Sequence, residues 1–474
     1  MIGWTVHGDG RTPPPGEVVR PDERLSWGRT IGIGVQHVVA MFGATFVFPV
    51  VMGLDPNLAV LLSGLATIVF LLVVAGKVPS YLGTSASFVG AVVAIRATGG
   101  SSATVTGAIL VAGVVLAAVG ILVHLAGPRV IHAVFPPVVT GAVVMLIGFN
   151  LAPVVADTYW PQDQWIALLT LAFVVLVSVL LRGFWSRIAV LLGLVFGFAL
   201  SWVFDLVFGQ ITSYSAAAGK VTTHWRVDLS AVANADWVGL PHLHAPDFKT
   251  SAILVALPGV IALIAENTGH VKAVAEMTGD DLDPYLGRAL FADGATTALA
   301  SAVGGSPTTT YAENIGVMAA TRVYSTAAYW VAAVVAVLFG LCPKFAALVA
   351  ATPGGVLGGI TVVLYGMIGL LGAKIWVENR VDFGDPVNLV PVAAGVIAAI
   401  GNVTLTITKS FPLTGIALGT IIVITAYHTL AAISRRRGTL GPPGGTATVV
   451  GEVPTEDPPE ASPSSGDAPP EGRA

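Results

Sequence analysis

Apolar stretches long enough to cross a lipid bilayer recur along most of this sequence, from Ile31 to Leu430. A helix needs roughly 20 apolar residues to cross a hydrocarbon core about 30 Å thick. Of the 474 residues, 54% are apolar and 11% are charged, whereas soluble domains carry about 25% charged residues. The sequence therefore predicts an all-α polytopic membrane protein whose transmembrane domain, residues 31–434, has about fourteen spans.

Positive charge is distributed unevenly between the two sides of these spans. With an even number of spans both termini lie on one side, together with sixteen Lys and Arg residues, and six lie on the other side. Cytoplasmic loops carry the excess of Lys and Arg. The N-terminal segment 1–30 and the C-terminus are therefore predicted to be cytoplasmic, in a multi-pass protein of the cytoplasmic membrane. Segment 1–30 is polar and rich in Pro and Gly, unlike a cleavable signal peptide.

Two polar segments flank or interrupt the spans. Residues 438–474 are rich in Pro, Gly and Ser and are predicted to be a disordered cytoplasmic tail. Residues 209–249 are predicted to be an extracytoplasmic loop, and His224, His242 and His244 within it lack the tight spacing of metal ligands. Ahead of the tail, 22 basic residues balance 21 acidic ones, which gives no charged face for nucleic acid. We expect no metal and no cofactor.

An internal repeat is visible in two Gly-rich segments. Residues 137–148 align without gaps on residues 355–366, which are the predicted spans five and twelve. Because the two spans are seven apart, an odd number, the second copy crosses the membrane in the opposite direction. Many carriers are built from such inverted repeats. The sequence therefore predicts a 7+7 inverted repeat.

Spans three and ten, also seven apart, are predicted to be discontinuous. Pro79 begins the segment PSYLGTSASF and Pro307 begins PTTTYAENIG, and Pro followed by Thr, Ser and Tyr favours a short extended segment before a helix. Non-helical backbone at membrane depth is tolerated only where it is buried in protein or lines a cavity. Two helix N-termini near the midplane would offer amide donors to a polar substrate. The alternative is two kinked helices packed through small residues.

Ionisable residues inside the spans are candidates for the functional site, because a charge there costs on the order of 3 kcal/mol. Glu266 lies one helical turn before His270, on the same helix face, and Glu313 begins the short helix of span ten beside Asn314. A carboxyl group in a dry cavity can bind and release a proton as its hydration changes. It can also pair with the N–H and C=O edge of a planar heterocycle. Alternatively, Glu266 and His270 form a structural pair and Glu313 caps its helix.

At these residues the sequence resembles the nucleobase/ascorbate transporter family, and bacterial uracil permeases in particular. The family signature is present as Glu313-Asn314-Ile315-Gly316 followed by Thr321-Arg322. Span one carries Gln36-His37 and the segment AMFGAT at 40–45, and span eight carries AENTGH at 265–270. The resemblance extends from Gly28 to Arg437.

The resemblance implies a core domain of spans 1–4 and 8–11 and a gate domain of spans 5–7 and 12–14. In similar proteins the substrate lies between the two domains. The substrate-binding residues implied here are Glu266, Glu313, Ala312, Ala86, Ser85 and Asn314. The residues implied in proton coupling are His270, Glu266 and Glu313. Dimerisation of two copies through the gate domain is also implied.

Two positions depart from uracil permeases, which often have Gly before the Glu of span ten and an aromatic residue after the Ser of span three. Here these positions are Ala312, whose methyl group would narrow the site, and Ala86, which would enlarge it. The expected function is proton-coupled uptake of a nucleobase, uracil above all, by alternating access. A xanthine or urate permease and a sulfate-type anion exchanger are alternatives, and so is a passive channel. The sequence contains no His-Glu-x-x-His or Gly-x-Ser-x-Gly motif of an enzyme.

Overall fold

The computed structural model describes residues 3–11, 13, 17–127, 129–182, 185, 188–215, 220–408 and 411–437. The predicted tail at 438–474 lies outside these residues. The helices are α1 (Trp27–Met52), α2 (Pro56–Val73), α3 (Val89–Ala97), α4 (Ser102–Ala126), α5 (Arg129–Val134), α6 (Pro137–Phe149), α7 (Ala152–Val154), α8 (Gln164–Leu180), α9 (Ala189–Phe208), α10 (Ser230–Asn234), α11 (Thr250–Ala256), α12 (Pro258–Thr278), α13 (Asp283–Ala302), α14 (Ala312–Thr321), α15 (Thr326–Gly340), α16 (Pro343–Ala350), α17 (Gly354–Glu378), α18 (Pro386–Ile400) and α19 (Gly415–Arg436).

Short strands pair into four two-stranded sheets among the described residues. The strands are β1 (Thr5–Val6), β2 (Glu23–Arg24), β3 (Leu82–Thr84), β4 (Ile211–Ser215), β5 (Lys220–His224), β6 (Thr308–Thr310), β7 (Thr404–Thr408) and β8 (Phe411–Thr414). Sheets of this size do not form a core of their own. The protein is therefore predominantly helical, as predicted.

The helices include the predicted membrane spans. By length and composition, eight helical stretches in the described part of the chain can cross a membrane, and the pair α15 and α16, bent by 82°, makes a ninth. Three shorter apolar helices, Ala86–Ala97, α8 and α18, occupy further predicted spans. Together with α13 and α14, these segments occupy all the predicted span positions in order. The prediction of a polytopic membrane domain is confirmed.

The long helices pack into two groups, which we call the first and the second bundle. The first bundle contains α1, α2, α4, α13 and α15, and the second contains α6, α8, α9, α17 and α18. The first bundle corresponds to spans of the predicted core domain, and the second to spans of the predicted gate domain. That these bundles move as separate domains stays a prediction.

Close backbone contact joins α4 to α13 in the first bundle. A Cβ atom added to Gly113 would lie 2.7 Å from the amide nitrogen of Ala298 and 2.9 Å from the carbonyl oxygen of Gly294. Helices in membranes associate largely by van der Waals packing, which small residues at the crossing allow. The absence of a side chain at Gly113 therefore sets the separation of these two helices.

The two predicted discontinuous spans meet each other inside the protein. Strand β3 precedes α3, β6 precedes α14, and the two strands pair antiparallel with Gly83 opposite Thr309. Further hydrogen bonds run from the Ser85 amide to the Pro307 carbonyl, 2.9 Å, and from the Tyr311 amide to the Tyr81 carbonyl, 3.1 Å. Both strands are fully buried. The extended segments are confirmed, and the alternative of two kinked helices is wrong.

The first half of the polar loop at 209–249 is attached to the second bundle. Strands β4 and β5 pair antiparallel. The partly buried guanidinium of Arg226, two residues after β5, binds Asp163 at 2.7 Å and Asp205 at 3.1 Å. Asp163 is the N-cap of α8, and Asp205 lies in the last turn of α9. The backbone amide of Val227 also donates to Asp205, at 3.0 Å. This end of the loop is therefore fixed to α8 and α9.

The later part of the same loop is attached to the first bundle and to α16. The carbonyl of Asp236 accepts a hydrogen bond from the Lys344 amide at 2.9 Å. The Asp247 amide donates to the carbonyl of Ala103, in α4, at 2.8 Å. The loop thus connects the two bundles through two separate sets of contacts.

The crossing of α4 and α13 yields a stability prediction. We expect Gly113→Ala to destabilise the protein by about 1–3 kcal/mol, because the added methyl group meets backbone atoms that cannot move without shifting a helix. The apparent melting temperature in detergent, followed by fluorescence-detected gel filtration, measures the effect.

Gly366→Ala is the matched control, because a Cβ atom at this position in α17 would have no neighbour within 4 Å. There Ala should be neutral or stabilising, since it favours a helix over Gly by roughly 0.5–1 kcal/mol. Equal melting temperatures for the two variants would contradict the close packing of α4 on α13.

Candidate functional site

A cavity of about 70 Å³ lies where the two discontinuous spans meet, between the two bundles. One wall is largely polar and is formed by Thr84, Glu266, His270, Thr309, Thr310, Tyr311, Ala312 and Glu313. The remaining lining residues are apolar: Ala44, Phe48, Ala86, Val144, Ile147, Ile368 and Leu371. A small cavity with convergent polar groups on one side and apolar groups on the other suits a small planar molecule with a polar edge.

A second cavity, of about 660 Å³, lies between the N-terminal segment and the loops that follow α2 and α12. Its charged lining residues include Arg20, Lys77 and Asp280. These residues lie outside the predicted spans, where charged side chains are ordinary. Ionisable groups at membrane depth indicate function far more strongly, and the smaller cavity contains them. We therefore take the smaller cavity as the candidate site.

The two predicted glutamates reach this cavity from different elements. Glu266 extends from α12, and its Oε2 accepts a hydrogen bond from the Ser87 hydroxyl at 3.2 Å. Glu313 is the second residue of α14 and lies in its first turn. The N-cap of α14 is Tyr311, which makes no side-chain cap. Both carboxyl groups thus face one small space beside the start of a short helix.

His270 lines the same cavity, one helical turn after Glu266. Its Nδ1 forms a hydrogen bond with the Thr310 hydroxyl at 2.8 Å, and its buried Nε2 has no partner in the protein. Glu266 and His270 are therefore bonded to different discontinuous spans, one through Ser87 and the other through Thr310. The described residues show no hydrogen bond between Glu266 and His270, and the functional roles of the two residues stay a prediction.

The other predicted site residues divide into two sets. Ala86 and Ala312 line the cavity. Ser85 and Asn314 do not appear among the described lining residues. Ser85 accepts a hydrogen bond from the Ser87 amide at 3.2 Å, and the Asn314 side chain donates to the His37 carbonyl at 3.0 Å. A substrate-binding role for Ser85 and Asn314 stays a prediction.

Asp293 is a further buried carboxyl group that the sequence analysis missed. It lies in α13 with no exposed surface, and the Asn267 amide group donates a hydrogen bond to its Oδ2. Its Oδ1 is buried without a partner in the protein. Asn267 is the neighbour of Glu266 on α12. An acidic residue within the apolar sequence of span nine was the available signal, since it carries the same insertion cost as Glu266.

Tyr311 connects the cavity to span one. Its hydroxyl group donates to the carbonyl of Thr84 at 2.8 Å and accepts from the Thr45 hydroxyl at 3.1 Å. Thr84 ends β3, and Tyr311 directly follows β6. This ring therefore fastens the two discontinuous spans to α1 and fixes the polar wall. No group of three or more His, Cys, Asp or Glu side chains in the described residues is arranged to hold a metal ion.

Two solved structures of transport proteins share this fold. The transmembrane domain of a cyanobacterial bicarbonate transporter, BicA, matches with a TM-score of 0.58 and 15% identity, over 84% of this chain and 96% of that one. The murine solute carrier 26 member A9 anion transporter, in its inward-facing state, matches with a TM-score of 0.61 and 11% identity, over 88% and 70%. At these identities the likeness shows the fold alone, the predicted 7+7 inverted repeat.

Sequence relatives are closer. A protein of Escherichia coli strain K12 with the provisional name pyrimidine permease RutG is 44% identical, over 90% of this chain and 94% of its own. The uracil permease of Bacillus caldolyticus is 37% identical over 84% and 91%, and that of Escherichia coli strain K12 is 36% identical over 84% and 90%.

The family model described as "Permease family" matches residues 28–408. The match covers every segment that forms the cavity, from α1 to α17. With relatives above 30% identity over most of the chain, the membership predicted from the motifs is confirmed. The chain belongs to the nucleobase/ascorbate transporter family of permeases, and it is a membrane transporter rather than an enzyme.

Proposed function

We propose that this transporter carries uracil, or a related pyrimidine base, into the cell together with protons. The observation that carries the proposal is the placement of Glu266, Glu313 and His270 around one small cavity between the two bundles. The names of the relatives, a pyrimidine permease and two uracil permeases, support the choice of base.

The chemistry of the cavity suits a pyrimidine. Uracil has an edge of alternating N–H and C=O groups, and a carboxylate accepts from N–H whereas backbone amides donate to C=O. Glu266 and Glu313 supply the acceptors, and the start of α14 supplies amide donors. The opposite wall, with Val144, Ile147 and Ile368, presents only apolar surface to the ring. Substrate binding would thus use directional contacts on one side and van der Waals contact on the other.

Proton coupling follows from the crowding of ionisable groups. Two carboxylates beside one small cavity repel each other when both are charged, so a proton or a donor from the substrate relieves the repulsion. His270 has an unpartnered Nε2 at the same cavity and is the group positioned to exchange the proton. The predicted proton-coupling residues thus act as one unit in this proposal.

The position of the cavity between the bundles supports alternating access. Movement of the second bundle past the first would expose the polar wall to one side of the membrane and then to the other. We further propose that the protein lies in the cytoplasmic membrane with both termini inside, and that two copies associate through the second bundle. These last points rest on charge distribution and family resemblance.

Two rival functions, transport of a purine and exchange of an anion, make different demands on the cavity. A purine permease for xanthine or urate would need room beside the glutamates for a second fused ring. An anion exchanger shares the fold, but two glutamates at the binding cavity would repel an anion.

Labelled uracil uptake into proteoliposomes tests the function. We expect an inward proton gradient to drive accumulation and a protonophore to abolish it, because the gradient supplies the driving force. Unlabelled uracil and thymine should compete, whereas xanthine and urate should not. Uptake that ignores the protonophore would indicate a passive channel, and the absence of competition by uracil would refute the substrate.

The Glu313→Gln variant tests the carboxyl ligand. We expect uracil binding to weaken by about tenfold or more, because a hydrogen bond to a charged group is worth roughly 1.5–3 kcal/mol. Scintillation proximity binding on purified protein measures the effect. Glu276→Gln, at an exposed position near the end of α12, is the control and should bind as the wild type does. If Glu313→Gln binds uracil with wild-type affinity, Glu313 is not a substrate ligand and only caps its helix.

The His270→Ala variant separates proton coupling from binding. We expect the stimulation of uptake by a proton gradient to fall by more than the affinity for uracil does, since the imidazole is assigned to the proton. Uptake at several external pH values and binding at equilibrium give the two quantities. His124→Ala, at an exposed position in α4, is the control. An unchanged pH dependence in His270→Ala would remove His270 from the coupling mechanism.

A further inference from the structure

We propose that Phe48 sets the size of the base that the cavity accepts, an inference that rests on the proposed function. Phe48 is the one aromatic residue among the described apolar lining residues of the cavity. It belongs to α1, a helix whose family motif ends three residues earlier, at Thr45. The motif therefore gave no reason to assign a role to this side chain.

The geometry of α1 places the Phe48 side chain in the cavity lining. Ala44 and Phe48 are separated by one helical turn, so their side chains lie on the same face, and both line the cavity. Ala44 is small and leaves space, whereas Phe48 fills it. The neighbouring Phe46 faces elsewhere and contacts the ring of Phe345, with ring centres 5.5 Å apart. Two buried phenylalanines of the same helix therefore have different surroundings.

The ring of Phe48 is held in place from the second bundle. It stacks on Tyr365 of α17, with ring centres 6.2 Å apart and planes 11° from parallel. Both side chains are only 3% exposed. Tyr365 is not among the described residues of the cavity lining. A stacked ring in a close-packed interior does not swing aside without disturbing its neighbours.

Among the apolar lining residues, the Phe48 ring takes up the most space beside the proposed position of the base. Ala86, from the turn between β3 and α3, contributes only a methyl group to the lining. The polar wall is fixed by the pairing of β3 with β6 and by the hydrogen bonds of Tyr311. A base anchored on Glu266 and Glu313 meets apolar side chains on its far side, and Phe48 is the bulkiest of them. A second fused ring would overlap the space that Phe48 occupies.

Truncation of this ring is the test, made on the full-length transporter in proteoliposomes. We expect Phe48→Ala to bind xanthine, so that the ratio of the xanthine and uracil inhibition constants falls by about tenfold or more, as sterically defined pockets discriminate by roughly 10–200-fold for each methylene. Phe46→Ala is the matched control, because it removes the same ring from α1 beside a different neighbour, and its ratio should stay that of the wild type.

Two further variants keep the test valid if Phe48→Ala fails to fold. Phe48→Leu keeps an apolar side chain and should shift the ratio in the same direction by a smaller factor. The double variant Phe48→Ala/Ala86→Phe supplies a ring from another position of the cavity lining and should restore exclusion of xanthine. An unchanged ratio in Phe48→Leu and Phe48→Ala, with uracil uptake intact, would overturn the role of Phe48.

The same data distinguish failure of this inference from failure of the proposed function. If the wild-type protein neither takes up uracil nor binds any base of the panel, the proposed function is wrong and the inference falls with it. If the wild type transports uracil but Phe48→Ala and Phe46→Ala change the ratio equally, only the inference is wrong.

Discussion

The hydrogen bonds between β3 and β6 are the constraint on which the site depends. Inside a bilayer no water is available to unpaired backbone groups, and each unsatisfied group costs several kcal/mol. The backbone groups of the two interrupted spans are satisfied by each other, because β3 and β6 exchange backbone hydrogen bonds. The pairing requires the spans to approach from opposite sides and to meet at depth. Their short helices must then begin at nearly the same place.

This meeting point explains why costly carboxyl groups gather there. Side-chain hydroxyls from the two interrupted spans reach the face of α12, where Ser87 bonds to Glu266 and Thr310 bonds to His270. Asn267 continues the network to Asp293 on α13. Each polar group at this depth needs a partner to offset its desolvation. His270 lines the cavity, and its buried Nε2 still has no partner in the protein.

Local sequence was sufficient for some features and insufficient for others. Pro79 and Pro307 followed by hydroxyl-bearing residues predicted the interruptions, because the backbone preference of a short segment is local. The orientation of Asn314 was not predictable, since its contact with His37 depends on how α14 packs on α1. The apolar wall was missed for the same reason. Ile147 and Ile368 are unremarkable in their own helices and become part of the site only when the second bundle closes on the first.

The loop at 209–249 limits how far the two bundles can separate on its side of the membrane. Val227 is bound to α9 of the second bundle, and Asp236 is bound to the start of α16, which follows α15 of the first bundle after a short break. The chain between these residues can extend to about 30 Å at most, given roughly 3.3–3.6 Å per residue. Part of that length is stored in α10, which rises only about 1.5 Å per residue. The segment between Val227 and Asp236 therefore has a fixed maximum length, and unwinding of α10 would lengthen it toward that maximum.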